Sequence, residues 1–254
     1  MSEADTPDGA VGRAMRLLDA LAAAPGPVAL AELAAATGLP KATAHRLLLQ
    51  LEAAGAVRRE PDGKRFAPGD GLRRLARGVM RISAQAGPAR DVMAALVAEI
   101  GETCNLGVLD GRAVLYVERV ECDQPLRLHL RAGSRVPLHA TAVGKLILAH
   151  MPPARAARLL GPGPLPALTP NTRDRAALLA QLPEIRRDGL SFNAEEATPG
   201  VTGVAAPVFA PDGALLAGLS IHAPLSRFDI DAARAAAPRL TQAAAEIAAA
   251  LAEG

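Results

Sequence analysis

Three short helical segments separated by Gly and Pro stops, followed at once by a tight-turn signature in a basic stretch, leave the N-terminal part of this chain few ways to fold. Ala14–Ala24 carries Met15, Leu18, Leu21 and Ala22 on one face of a helix, and Pro25-Gly26-Pro27 ends it. Leu30–Thr37 is a second helix with Leu30, Leu33 and Ala34 on one side, stopped by Gly38. Pro40 suits the first position of a third helix, where its missing N–H is no loss. That helix runs to about Ala54 with an apolar stripe of Ala44, Leu47, Leu48 and Leu51, and Gly55 closes it. Ala56–Glu60 and Arg65–Ala67 then flank Pro61-Asp62-Gly63-Lys64, whose Asp-Gly pair marks a hairpin. Three helices and a basic two-stranded hairpin, in that order, predict a winged helix-turn-helix over residues 10–69.

Charge sharpens this. The whole chain carries only +2, but residues 10–85 hold twelve Lys and Arg against six Asp and Glu, while residues 86–254 hold sixteen against seventeen. Basic charge is gathered where a phosphate backbone would be met. With the apolar stripe of the third helix turned inward, helical geometry sends Lys41, Thr43, His45, Arg46 and Gln50 outward. These side chains suit base edges and phosphates in a major groove, although any exposed helix face is polar. Arg58, Arg59, Lys64 and Arg65 cluster on the hairpin. They fit a wing that releases counterions from double-stranded DNA better than the other reading, a charged guard on an exposed edge.

Gly71–Ala86 is a helix with Leu72, Leu75, Val79 and Ile82 at spacings of three and four, a stripe that suits packing on a second subunit. Its arginines, Arg73, Arg74 and Arg77, fit either a solvated face or backbone contact. Residues 70–87 are expected to be a linker, ended by Gly87-Pro88, and residues 1–9 an acidic disordered tail. The remainder, 88–254, alternates. Helices are expected at Ala89–Ile100, Ala140–Met151, Ala154–Leu160, Arg173–Asp188 and Asp231–Glu253. Strands are expected at Asn105–Leu109, Ala113–Val120, Leu126–Arg131, Gly203–Phe209 and Leu215–His222. Hairpin turns between strands point to an α+β domain with an antiparallel sheet flanked by helices. Half of the chain is hydrophobic, enough for a real core, and no apolar run reaches the roughly 20 residues of a membrane span. The acidic N-terminus is unlike a signal peptide, and Cys104 and Cys122 lack metal-spaced partners and read as free thiols. The expectation is a cytoplasmic protein without membrane, metal or cofactor.

Three segments carry a resemblance. Leu39-Pro40-Lys41-Ala42-Thr43-Ala44-His45-Arg46-Leu47-Leu48 resembles the recognition helix of the IclR family of bacterial transcription regulators. Val136-Pro137-Leu138-His139-Ala140-Thr141-Ala142-Val143-Gly144-Lys145 resembles its central motif. Glu195-Glu196, Pro199-Gly200-Val201 and Val204-Ala205-Ala206-Pro207-Val208 resemble its C-terminal signature. The resemblance implies a winged helix joined to a GAF-like effector-binding domain, homodimers or homotetramers, and a ligand-responsive repressor or activator. It also implies an effector pocket at Leu128, Ala142, Val143, Asn193, Val201, Gly203, Ser220 and His222.

The physical logic agrees: N–H groups at a helix start favour a carboxylate, and Ser220 and His222 share one strand face. Relatives commonly carry Cys at Gly203, Asp at Asn193 and a small polar residue at His222. Gly203 leaves room, Asn193 removes a charge that would repel an acid, and a protonated or donating His222 can hold a carboxylate or phenol. The expected effector is thus an organic acid, aromatic ones included, larger than a two- or three-carbon keto acid. A core histidine is the other reading of His222. His139 is expected to brace a loop, and Glu195 and Glu196 to cap or pair locally. Two other functions stay in view. An architectural DNA-binding protein would use its second domain only to oligomerise. An enzyme would need a base beside Cys104, and the sequence supplies none.

Overall fold

The computed structural model divides into two compact units between Val79 and Met80. It describes residues 9–24, 26–128 and 130–252, with the backbone but not the side chains of residues 77 and 80–86. The expected tail, apart from Gly9, lies outside the described residues, as do the side chains of Arg77, Arg81 and Ile82.

The first unit contains α1 (Ala10–Ala23), β1 (Val28–Ala29), α2 (Leu30–Thr37), α3 (Lys41–Ala53), β2 (Val57–Arg59) and β3 (Arg65–Pro68), and α4 (Asp70–Ala86) begins in it. Leu17 and Leu21 of α1, Leu33 of α2, Leu47 and Leu48 of α3 and Phe66 of β3 share one core. The buried face of α1 differs from the sequence expectation. Leu17 takes the inward position one turn before Leu21, and that rotation leaves Met15 half exposed. Pro40 sits at the cap rather than in the first turn of α3, its carbonyl accepting the Ala44 N–H at 2.9 Å. The two-residue β1 adds a third strand, in the order β1-β3-β2.

The second unit follows with α5 (Pro88–Ile100), β4 (Cys104–Asp110), β5 (Ala113–Val120), β6 (Arg135–Pro137), α6 (Ala142–Ala149), α7 (Pro153–Leu160), α8 (Arg175–Asp188), β7 (Ser191–Ala194), β8 (Val201–Phe209), β9 (Leu215–Pro224) and α9 (Ile230–Ala252). Its strands form one six-stranded sheet, β6-β5-β4-β9-β8-β7, antiparallel at every described pairing. The chain is thus α+β. Period-two alternation sends Leu106, Val204, Leu219 and Ile221 to one face, against Met93 and Leu96 of α5 and Leu240 and Ile247 of α9. Val114, Tyr116 and Ala205 face the other side, against Val143 and Leu146 of α6 and Leu178 of α8.

The strand expected at Leu126–Arg131 is absent among the described residues. The Leu128 carbonyl is taken by the Arg119 side chain, and the Leu130 N–H turns back onto the same oxygen at 3.1 Å. The ladder position is filled instead by β6, Arg135–Pro137, which pairs with β5. The expected helix at Ala140–Met151 is shorter, because Thr141 caps α6 by accepting the Gly144 N–H at 3.1 Å.

Helix α6 sits very close to its neighbours, and glycines make that possible. A Cβ on Gly218 would come within 2.7 Å of Val143 Cγ2, and one on Gly144 within 2.4 Å of the Leu138 carbonyl oxygen. Backbone cannot yield as a side-chain tip can. Gly144→Ala should therefore destabilise the second unit by about 1–3 kcal/mol, read as a lower denaturation midpoint; an unchanged midpoint would contradict this packing.

Candidate DNA-contacting surface and effector cavity

Burial of Ala44, Leu47 and Leu48 fixes the rotation of α3. Lys41, His45, Arg46 and Gln50 are exposed as a result, and Thr43 is half-buried. The hairpin is more constrained than its composition suggests. Asp62 accepts the backbone N–H groups of Lys64 and Arg65, at 2.9 and 3.2 Å, and pairs with the Arg65 side chain at 2.7 Å. Those bonds hold the Asp62 carboxyl below the usual carboxylate range. Arg58 pairs with Glu60 at 2.8 Å, and Arg59 pairs with Glu52 of α3 at 3.2 Å while lying over the Phe66 ring. Lys64 is the wing cation whose side chain makes no ion pair among the described residues. An unpaired cation has the least to lose on meeting phosphate. Lys64→Ala should lower the slope of log operator affinity against log salt by about 1; an unchanged slope would take Lys64 out of the contact.

In the second unit a cavity of about 140 Å³ lies between the sheet and the start of α6. All eight positions singled out in the sequence line it: Leu128, Ala142, Val143, Asn193, Val201, Gly203, Ser220 and His222. Register explains the gathering. Asn193 of β7, Gly203 of β8 and His222 of β9 lie directly across from one another, and Ser220 is two residues along from His222 on the same face. Sequence reasoning missed Tyr116, Leu130, Val136 and Thr141, which also line the space. Tyr116 is the chain's one tyrosine, set between Leu115 and Val117 in β5, and that was a usable signal.

Several of the lining residues carry polar groups. Residues Ala142 and Val143 open α6, and their N–H groups have no partner among the described residues. Asn193 Oδ1 accepts the Glu196 N–H at 2.8 Å, which leaves its NH₂ as the free end. His222 is buried, stacked on Tyr116 with ring centroids 6.1 Å apart. Burial, with Arg119 nearby, pushes its pKa down to about 3. The protonated form entertained from sequence is therefore removed, since a charged imidazole would lose its hydration beside a guanidinium. The ring remains neutral and hydrogen-bonding. The room at Gly203 is bounded by β9, because a Cβ there would stand 2.9 Å from the Ile221 carbonyl oxygen and 3.1 Å from His222 Cβ.

Glu195 and Glu196 divide their tasks. Glu195, at φ 58°, accepts the Gly200 N–H at 2.7 Å, a local bond as expected. Glu196 does not pair locally. Its carboxylate meets the fully buried Lys145 of α6 at 2.5 Å, with Arg173 at 3.7 Å. Burial pulls the Lys145 pKa down while Glu196 opposes it. The pair ties α6 to the 195–200 loop, and Ala197 and Thr198 of that loop also face the cavity. His139 has the loop-bracing role expected of it, its Nε2–H donating to the Pro166 carbonyl at 2.9 Å. Cys104 is buried, and burial pushes its thiol well up, away from a nucleophile's range.

The model of the bacterial transcriptional regulator IclR C-terminal domain matches residues 80–249, and that of the IclR helix-turn-helix domain matches residues 10–61. The chain belongs to the IclR family. It is a transcriptional regulator with a DNA-binding helix-turn-helix and a C-terminal effector domain, and its relatives are regulators rather than enzymes. It is 42% identical to the probable transcriptional regulator SauR of Cupriavidus necator, over 92% of this chain and 94% of that one. It is 34% identical to the regulator BhcR of Paracoccus denitrificans, over 94% and 85%. Among solved structures it resembles an IclR homologue from Microbacterium hydrocarbonoxydans complexed with 4-hydroxybenzoate, at 27% identity and a TM-score of 0.61, covering 97% of this chain and all of that one. No helix among the described residues of this IclR-family chain is long and apolar enough to cross a membrane.

The neutral state of His222 carries a pH signature. Unfolded, the ring takes up a proton below its ordinary value of 6.5; folded, it does so only near 3. Between those values the unfolded chain binds more protons, so this contribution to stability falls away as pH drops from 6.5 toward 3. His222→Gln should therefore lose less of its unfolding temperature than the parent protein between neutral and mildly acidic pH; identical losses would contradict a buried neutral ring.

Proposed function

We propose that operator binding by this regulator is set by a small organic acid held in the cavity at the start of α6. The carrying observation is that one small cavity is lined by several hydrogen-bonding groups: residues Ala142 and Val143, whose N–H groups are open, the Asn193 amide and the neutral His222. A helix start with unpartnered N–H groups favours an anion. The volume is close to the roughly 150 Å³ that accommodates a benzene ring in an apolar protein interior. The 4-hydroxybenzoate in the Microbacterium relative supports the same size class. Asn193 presents no charge to repel a carboxylate.

The DNA side of the reading rests on α3. Lys41, Thr43, His45, Arg46 and Gln50 meet the major groove of double-stranded operator DNA, and the wing adds a phosphate contact through Lys64. Arg58, Arg59 and Arg65, each paired with an acidic side chain, shape the wing more than they extend its charge. The regulator acts in the cytoplasm as a homo-oligomer. Residues 10–69 bind DNA, 70–87 link, and 88–254 bind effector and assemble. Leu75 and Val79 of α4, both more than half exposed, pack against a second copy. An acid that binds one quaternary arrangement better than another then shifts operator affinity; one that binds both equally shifts nothing.

The test uses the full chain and a fragment from the DNA beside its own gene. 4-Hydroxybenzoate, benzoate and short aliphatic acids are screened for a rise in unfolding temperature and then in operator titrations. At least one acid should do both, changing operator affinity by about fivefold or more. Tight operator binding that none of these acids alters would favour the architectural reading instead.

A further inference from the structure

Beside the cavity lies a buried cation. Arg119 of β5 stands opposite Asn105 of β4, with its side chain only 3% exposed. Its Nη1 donates to Asn105 Oδ1 at 2.8 Å, its Nη2 to the Leu128 carbonyl at 2.6 Å and its Nε to Glu121 at 3.0 Å. Asn105 in turn places Nδ2 3.1 Å from His222 Nδ1. These contacts form a chain of forced choices. A guanidinium only donates, so the amide must turn its oxygen toward Arg119. The amide nitrogen also only donates, so His222 Nδ1 must accept. A neutral ring that accepts at Nδ1 carries its proton on Nε2.

The ring's Nε2 lies 3.5 Å from Arg119 Nη1, a contact too long to outweigh the 2.8 and 3.1 Å bonds that orient the Asn105 amide. The groups around the ring from each packed element are Arg119 and Tyr116 from β5, Asn105 from β4, Ser220 on its own strand, and Asn193 of β7 across Gly203. Of these only Arg119 is charged at neutral pH. Glu121 lies beyond Arg119, where it also holds Arg127 at 3.1 Å, and Glu102, beside Thr103, is taken by Arg227. Arg119 is thus the charged group nearest the ring, with Glu121 paired to its Nε.

We infer that Arg119 is a positioning residue of the effector cavity: through Asn105 it fixes His222 as a neutral Nε2–H donor, and its own charge biases that end of the cavity toward an ionised carboxylate over an uncharged isostere. By holding the Leu128 carbonyl, the same side chain also keeps one cavity wall in place. The inference rests on the acid reading of the preceding section for its ligand, but its first test needs no ligand.

Full-length protein labelled with ¹⁵N-histidine, without effector, reports the tautomer of each imidazole by long-range ¹⁵N–¹H correlation, with His222 assigned by its loss in His222→Gln. His222 should show Nε2–H and an unprotonated Nδ1, unchanged from about pH 5 to 8. Asn105→Asp replaces the donating amide with an acceptor and should move the proton to Nδ1. Arg119→Met should release the fixed tautomer, and Arg119→Lys, which keeps the charge without the fork, should not restore it. An Nδ1–H tautomer in the parent protein, or a His222 signal indifferent to both substitutions, would overturn the assignment; either readout requires only a folded spectrum.

A calorimetric comparison of 4-hydroxybenzoate with 4-hydroxybenzamide tests the charge preference. About tenfold in favour of the acid is expected in the parent, shrinking in Arg119→Met and kept in Arg119→Lys. Equal affinities in the parent would refute the preference. Binding of neither probe would count against the acid reading itself, while the tautomer result decides the role of Arg119 separately.

Discussion

The second unit depends on how closely α6 lies against its sheet. Gly107 of β4 and Gly218 of β9 offer no side chain beneath Val143, and Gly144 offers none toward Leu138. A helix so seated brings its first turn down to the level of the strands. Ala142 and Val143, which open the helix, then line the same small cavity as Asn193, Ser220 and His222. A methyl group at any of these glycines would lift the helix by more than a close-packed interior tolerates. The cavity is what remains between the capped start of α6 and the side chains that rise from the sheet around it.

Two buried charges hold the rim of that space. Lys145 reaches from inside α6 to Glu196, and Arg119 reaches from β5 to Asn105 and to the carbonyl of Leu128. Buried ion pairs are weak sources of net stability, yet removing one partner strands the other charge, at about 3–5 kcal/mol. Their effect here is geometric. Lys145 fixes the 195–200 loop against the helix, and Arg119 fixes both a wall and, through the amide, the proton on a histidine. In the first unit the pair of Arg59 with Glu52 does similar work, securing the hairpin to the helix beside it.

What could be read from the sequence was mostly what short-range chemistry decides. The Asp62-Gly63 turn, the stop at Gly38, the stripe of α3 and the hairpin at Asp110-Gly111 each follow from neighbours a few residues apart. The gathering of Asn193, Gly203, Ser220 and His222 was accessible through the family resemblance, and strand register accounts for it physically. Interactions across the fold were not accessible. Glu196 finds Lys145 fifty-one residues away, and Arg119 finds His222 at a separation of 103. The apparent strand at Leu126–Arg131 alternates correctly, but a single arginine removes the carbonyl its ladder would need. Two-residue β1 and four-residue β7 are too short for periodicity to reveal. Asn105, a lone amide in an apolar strand, was legible as an oddity although its partners were not.

The start of α6 is proposed as the place where an acid is received. Amide chemical shifts of Ala142 and Val143, followed while 4-hydroxybenzoate is titrated into the full chain, test it most directly. These two amides should move together and saturate with the same affinity that alters operator binding. Saturable binding that leaves both amides in place while shifting others elsewhere would contradict it.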